Sequence, residues 1–283
     1  TGYRGEQLEQ HVESWNTLSN PIDAWVNQES TPMGTAGSVR LLAEHLTETF
    51  VVGSGDSVAS FDIGALLAAH RSSGAKVTMA LWEVEDPTRF GIVGLDDDSR
   101  ITQFKEKPKP DEVFSNLINA GSYIFEDEIF DYMPQGKHSI ERDVFPKLAE
   151  QSLLNGQQFE GYFLDAGTPS AWSDAVHRCI IEKRFSRGMI HGSSWYGSSE
   201  NQTSEFVTES MIETDVLVSN SQIHRSTLLK GTVVGEDSII ESSLIGDQVT
   251  IGTDVRLQDV VVDHGSTVPS GTSLVGGQWP RME

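Results

Sequence analysis

The chain is poor in cysteine, poor in positive charge and without long apolar runs. Cys179 is the only cysteine in 283 residues, which excludes an internal disulfide framework and a cysteine-based zinc site. No stretch approaches the roughly 20 apolar residues of a membrane-spanning helix. The opening Thr1-Gly2-Tyr3-Arg4-Gly5-Glu6-Gln7 is polar and shows no signal-peptide pattern. A soluble, cytoplasmic protein is therefore the expectation. Lys and Arg number 20 against 42 Asp and Glu, a net charge of −22. A nucleic-acid backbone needs a basic footprint, so that partner class is set aside. Net charge speaks to solubility and not to fold.

The length predicts two domains, each able to bury its own core. Val39, Leu42, Leu46 and Phe50 fall at helical spacing, and Phe50-Val51-Val52 reads as a short strand ending at Gly55-Asp56. Asp62 is placed to cap a helix carrying Ile63, Leu66 and Leu67, which Gly74 stops. Val77–Leu81 follows as a strand. This rhythm predicts an α/β domain over residues 1–186 with a mostly parallel sheet, closed by an amphipathic helix over 170–186. The Gly- and Ser-rich stretch 187–214 reads as a linker. Beyond it, Ile223, Leu229, Val234, Ile240, Ile245, Ile251, Leu257, Val262, Val268 and Leu274 recur every five or six residues, with Gly231, Gly235, Gly246, Gly252, Gly265 and Gly271 between them. One inward apolar residue per hexad predicts a parallel β-helix over 215–283, about three coils long. It resembles the left-handed, triangular kind.

Short motifs run along the first domain: Pro32-Met33-Gly34-Thr35-Ala36-Gly37, Gly55-Asp56, Phe90-Gly91, Glu106-Lys107-Pro108, Asn119-Ala120-Gly121 and Asp165-Ala166-Gly167-Thr168-Pro169. Asp56 and Asp165 each end a strand, and ligands of open α/β sheets bind at that edge. In this order and spacing the motifs resemble the sugar-phosphate nucleotidyltransferases, or nucleotide-sugar pyrophosphorylases. Val84–Gly91 and Ser139-Ile140-Glu141-Arg142-Asp143-Val144-Phe145-Pro146 give the resemblance a mannose-1-phosphate guanylyltransferase-like cast. It implies an incomplete Rossmann-like domain followed by the β-helix. The implied reaction joins a nucleoside triphosphate and a sugar-1-phosphate into a nucleotide-sugar and pyrophosphate, GDP-mannose in type.

The resemblance also implies roles. Asp56 and Asp165 would hold Mg²⁺, and Lys107 would approach the sugar phosphate. Glu106 would bind sugar hydroxyls, with Gly91, Asn119 and Gly121 around the sugar. Glu29 and Gly34 would lie by the base and ribose. Plainer readings stand beside each: turn aspartates for Asp56 and Asp165, a charged hairpin around Glu106 and Lys107, a strand kink at Gly91, a bulge at Gly121 and a structural turn at Gly34. The family opens with a Gly-rich phosphate loop that has no counterpart before Thr1, so the chain by itself is expected to be inactive. The missing strands would leave Phe50–Val52 and Val77–Leu81 as open edges. Two other functions remain: a non-catalytic regulatory or sugar-nucleotide-binding paralogue, and a hexapeptide-repeat acyltransferase using His224 or His264 as base. The β-helix is expected to make homo-oligomer contacts.

Overall fold

A computed structural model describes residues 1, 5–15, 21–185, 187–198 and 205–280. The chain divides into two units: residues 1–54 with 60–161, and residues 55–59 with 162–283.

In the first unit, helix α1 (Gly5–Trp15) and the short helix α2 (Gly34–Arg40) precede strand β1 (Phe50–Gly53). The helical spacing of Val39, Leu42, Leu46 and Phe50 thus continues only as turns past Arg40. Helix α3 (Ile63–Ser73) starts and stops where its capping residues predict. The Asp62 carboxylate accepts from the Gly64 and Ala65 amides at 2.7 and 3.2 Å, and Gly74 takes the left-handed conformation at φ 64°.

Six strands of this unit form one sheet. After β1, and passing over β2 (Ser57–Ala59) of the second unit, these are β3 (Val77–Glu83), β4 (Gly91–Leu95), β5 (Ile101–Glu106), β6 (Leu117–Phe125) and β7 (Leu154–Gln158). Their order is β5-β4-β6-β3-β7, with β1 also on β6. The sheet is mixed, where the sequence rhythm predicts mostly parallel strands. Within this sheet only β3 and β7 pair in parallel among the described strands, and the other pairs are antiparallel. The reason is visible in β6. Strands β1 and β3 do run the same way around α3, but β6 lies between them and runs opposite, pairing Phe125 with both Phe50 and Val77. Strands β4 and β5 add a hairpin whose turn is tied by the Asp96 carboxylate to the amides of Asp98 and Arg100.

Val77–Trp82 is buried on both faces between β6 and β7, so the expected open edge is absent there. At β1 the outer side is not paired by a described strand, and Val51 is 52% exposed. On one face of the sheet a π-turn (Ile140–Val144) leads into helix α4 (Phe145–Glu150), whose Phe145 ring packs 5.4 Å from Phe104 and 5.1 Å from Tyr123.

In the second unit, β2 (Ser57–Ala59) pairs antiparallel with β8 (Phe163–Asp165). Helix α5 (Pro169–Ile181) follows, N-capped by the Thr168 hydroxyl, which accepts from the Ala171 amide at 3.2 Å. A parallel β-solenoid of about five turns completes the unit. Its inward column Val207, Ile223, Ile240, Leu257 and Leu274 pairs coil upon coil. Tyr196, Ile212, Leu228, Ile245 and Val262 form a second column, and Val218, Val234, Ile251 and Val268 a third.

Leu228, not the predicted Leu229, points inward, because the second column starts its strand one residue earlier. The first rungs also begin earlier than 215. Ser194–Tyr196, Val207–Thr208 and Met211–Ile212 lie in the stretch read as linker and pair with later coils, while residues 199–204 fall outside the described part. Val207, Ile212 and Val218 keep the five- or six-residue step, but 11 positions separate Tyr196 from Val207, and that gap interrupts the run. Inside one corner, buried serines form a ladder. The Ser210, Ser226, Ser243 and Val260 amides each donate at 3.1 Å to the serine hydroxyl one coil before: Ser194, Ser210, Ser226 and Ser243. Backbone groups that a tight corner would orphan are satisfied this way.

Candidate functional site

Seven of the expected site residues lie in the first unit and two in the second. In the second unit, Asp56 and Asp165 are neighbours. Pairing of Ser57 with Asp165 sets Asp56 beside the end of β8, and the Ala166 amide donates to the Asp56 carbonyl at 2.8 Å. Asp56 is exposed and Asp165 half-buried. The Gly167 amide donates to the Asp165 carboxylate at 3.3 Å, and a Cβ on Gly167 would stand 3.2 Å from that oxygen. The donor set is two carboxylates at adjoining strand ends, open to solvent. That suits a hard divalent cation that keeps water and phosphate oxygens as its other ligands.

In the first unit, the antiparallel register places Gly91, at the start of β4, opposite Glu106, at the end of β5. A Cβ at Gly91 would meet the Phe104 ring at 2.6 Å and the Glu106 carboxylate at 2.9 Å, so only glycine leaves that carboxylate its place. The Glu106 side chain is 15% exposed, and Lys107 stands with its Nζ 3.9 Å from Glu106 Oε1 and its side chain 61% exposed. The Lys107 amide donates to the Phe90 carbonyl at 2.9 Å, which fixes the turn between the two motifs. Burial first, and then the charge of Glu141, push the Glu106 carboxyl above its ordinary range, while Lys107 and Arg142 oppose them.

Asn119 and Gly121 lie in β6 where the pairing with β3 slips, so Gly121 does mark a bulge. Its φ is 69°, and a Cβ there would come within 2.5 Å of the Ser54 hydroxyl. The bulge has a use. The Gly121 amide donates to Asn119 Oδ1 at 2.9 Å, and Asn119 Nδ2 donates to the Tyr123 hydroxyl at 2.8 Å. Asn119 is thereby held in one orientation. Burial pushes the Tyr123 phenol far up, with Glu141 and Glu106 adding to it, so it stays a neutral hydroxyl.

Glu29 and Gly34 belong to the entrance of α2. The Glu29 carboxylate accepts from the Met33 amide at 3.0 Å and sits below its ordinary range, chiefly through a hydrogen bond from Ser38. Gly34 has φ 73°, and a Cβ would stand 2.5 Å from the His138 carbonyl oxygen. The His138 amide in turn donates to the Met33 carbonyl at 3.0 Å. The α2 turn is therefore fastened to the segment before the π-turn.

That segment carries what the motif reading left without roles. Thr35 and Ser139 both donate to Glu141 Oε2, at 2.7 and 2.6 Å, and the Ile140 amide donates to the Thr35 hydroxyl at 2.9 Å. Glu141 and Arg142 act on Glu106, and Tyr123 joins Asn119 to them. A Ser-x-x-x-Asp start to a helical segment was the available signal, and it is a capping pattern: the Ser139 hydroxyl accepts from the Arg142 amide and the Asp143 carboxylate from the Ser139 amide. The solenoid histidines are tied into coil stacking. His224 Nδ1 lies 2.9 Å from the Thr208 hydroxyl, and His264 Nδ1 accepts from the Asp247 amide at 2.9 Å.

Comparison with known proteins matches residues 1–180 to a family model described as nucleotidyl transferase. The chain belongs to the nucleotidyl transferase family. Residues 195–278 match a second model, described as GlmU-like, C-terminal hexapeptide, which makes the solenoid a hexapeptide left-handed β-helix. A mannose-1-phosphate guanylyltransferase catalytic subunit beta of Drosophila pseudoobscura pseudoobscura is 35% identical over 170 residues, 59% of this chain and 45% of that protein. A mannose-1-phosphate guanylyltransferase of Mycobacterium tuberculosis is 36% identical over 173 residues, 60% and 47% of the two chains. A solved structure from Bacillus anthracis, titled as a glucose-1-phosphate thymidylyltransferase with sucrose, shares 24% identity at a TM-score of 0.48, covering 53% of this chain and 62% of that one. The matched part thus spans about half the length of the curated relatives. Members of the nucleotidyl transferase family join nucleoside triphosphates to sugar-1-phosphates and generally use a divalent metal.

Proposed function

We propose that this chain serves nucleotidyl transfer to a sugar-1-phosphate, with mannose-1-phosphate as the sugar partner and a guanine nucleotide as donor. The carrying observation lies at the ends of β4 and β5, where the Glu106 carboxylate and the Lys107 ammonium stand by a glycine floor at Gly91, with β6, which carries the held Asn119, paired beside β4 at Ile92 and Ile118. In the reaction a sugar-phosphate oxygen attacks the α-phosphorus and the bond to pyrophosphate breaks. Alignment and charge neutralisation are what the protein supplies. The relatives named as mannose-1-phosphate guanylyltransferases favour mannose and guanine over glucose with thymine or uracil.

Glu106 accepts hydrogen bonds from sugar hydroxyls, and these are strongest when its carboxyl is ionised. Lys107 supplies a flexible point charge to the sugar phosphate. Asn119, oriented through Gly121 and Tyr123, contacts a ring hydroxyl, and the missing Cβ at Gly91 lets the sugar lie against the strand. Glu29 and Gly34 face the base and ribose. Asp56 and Asp165 hold Mg²⁺, which when bound supplies positive charge to the phosphates. The solenoid carries self-association, and a monomer by sedimentation would remove that part of the reading.

Calorimetry of the full chain with mannose-1-phosphate and glucose-1-phosphate, followed by pyrophosphate release with GTP, UTP or dTTP in MgCl₂, tests the proposal. Tighter binding of mannose-1-phosphate, lost in Glu106→Ala and Lys107→Ala, is expected. Preference for glucose-1-phosphate would replace the sugar assignment, and binding of neither would end the reading.

A further inference from the structure

Asp56 and Asp165 sit at the ends of a sheet too small to hold itself in place. Among the described strands, β2 and β8 form a two-stranded sheet of three residue pairs, and an isolated pair of that size is marginal in water. Hydrogen bonds join the end of β8 to the start of α5. The Gly167 amide donates back to the Asp165 carboxylate, the Thr168 hydroxyl caps α5, and the Trp172 amide donates to the Thr168 carbonyl at 2.8 Å.

Helix α5 lies on the solenoid through two kinds of contact. Val176 and Ile180 pack with Trp195, and an apolar contact is non-directional, so it does not fix the helix along its axis. Three polar contacts at the start of the helix do. Trp172 Nε1 donates to the Thr227 hydroxyl at 3.0 Å, the Ser173 hydroxyl donates to the Arg225 carbonyl, and the Arg225 guanidinium pairs with Asp174. Arg225 also reaches Glu209 of the preceding coil at 3.4 Å, and His177 Nδ1 lies 3.7 Å from the same Glu209 oxygen. The corner column Glu209, Arg225, Ser242 and Asp259 is left-handed throughout, with φ between 44° and 54°, and Arg225 is the cation among the four.

We propose that Arg225 and Thr227 of the solenoid are positioning residues for the Asp56–Asp165 pair: they fix the start of α5 and, through Thr168 and Gly167, the place of the Asp165 carboxylate beside Asp56. This rests on the reading of the two aspartates as metal ligands. The ion pairs of Arg225 are partly exposed and add little stability, so what they supply is position. The solenoid thereby acts on the site within one chain, apart from any part in self-association.

The experiment follows Mn²⁺ binding to the full chain by electron paramagnetic resonance, beside hydrogen exchange of the Ala166 amide, whose bond to the Asp56 carbonyl reports the pair without metal. Thr227→Val removes the acceptor for Trp172 and keeps the side-chain shape. It should weaken Mn²⁺ binding about fivefold, the scale of one ordinary hydrogen bond, and speed Ala166 exchange by a similar factor. Exchange at the buried Val260 amide of the solenoid should stay at the wild-type rate. Thr227→Ser should restore both readouts. Arg225→Met loses both ion pairs and should act in the same direction. Wild-type Mn²⁺ affinity in either Thr227→Val or Arg225→Met would overturn the proposal. So would a loss of affinity matched by equally faster exchange at Val260, which marks a general loosening of the solenoid. If the wild type binds no Mn²⁺, the metal reading fails, while Ala166 exchange still decides whether Arg225 and Thr227 hold Asp165 beside Asp56.

Discussion

Gly121→Ala separates two physical effects at the strand bulge. The backbone there has φ 69°, where an L side chain costs about 1–2 kcal/mol. The new Cβ would also meet Ser54, at 2.5 Å from the hydroxyl and 3.1 Å from Cβ. Ser54 is exposed and its hydroxyl can rotate away, so this contact adds only about 0.5–1.5 kcal/mol, the scale of an unfavourable rotamer. Together they cost roughly 1.5–3.5 kcal/mol of local stability. In a Ser54→Gly background the steric part disappears and the conformational part remains, so the same substitution should cost about 1–2 kcal/mol. The bond from the Ser54 amide to the Gly121 carbonyl, 2.8 Å, survives in both backgrounds. Native-state hydrogen exchange of the Leu117–Phe125 amides reads this difference directly and avoids assuming that both units unfold together. Equal costs in the two backgrounds would refute the steric half. A cost below about 0.5 kcal/mol in both would refute the conformational half. Because Gly121 orients Asn119, the variant should also weaken mannose-1-phosphate binding in calorimetry.

Gly91→Ala should displace Glu106 or the packed Phe104 ring, with overpacking of about 1–3 kcal/mol in thermal melts and loss of sugar-phosphate affinity. The raised Glu106 pKa means the folded state binds that proton more tightly than the unfolded chain. Its contribution to stability is thus present below the ordinary carboxylate range and lost as pH rises through the raised value. Glu106→Gln should accordingly flatten the pH dependence of first-unit stability between mildly acid and neutral pH, measured by urea melts; an unchanged slope would refute it. Ser243→Ala leaves the buried Val260 amide without its acceptor and should cost the solenoid about 1–3 kcal/mol, read as faster exchange at Val260. Asp165→Asn should weaken Mn²⁺ binding measured by electron paramagnetic resonance, and unchanged binding would remove Asp165 from the metal site.

Local signals in the sequence were reliable where one residue answers one backbone need. Asp62 and Gly74 bound α3 because a cap and a left-handed stop are local requirements. The hexad of apolar residues marked the solenoid because each coil repeats the same inward demand. The first rungs, before residue 215, escaped the reading: Val207 and Ile212 keep the step, but the 11 positions from Tyr196 to Val207 break the run. The strand–helix–strand rhythm pointed to parallel strands and missed that β6 inserts between β1 and β3. No local pattern in β6 distinguishes a neighbour that runs the other way.

The sequence by itself determined the family and the two kinds of domain, and it supplied the residues of the proposed site: carboxylates at Asp56, Asp165 and Glu106, the Lys107 cation and glycines at 34, 91 and 121. Those choices are visible because each motif needs a particular residue type within a few positions. Only the tertiary structure decided that Gly91 faces Glu106 across a hairpin, that Asp56 adjoins Asp165 across β2 and β8, and that Thr35 anchors Glu141. These are contacts between residues 15 to 109 positions apart, and the hydrogen-bond register that creates them is a property of paired strands and packed turns.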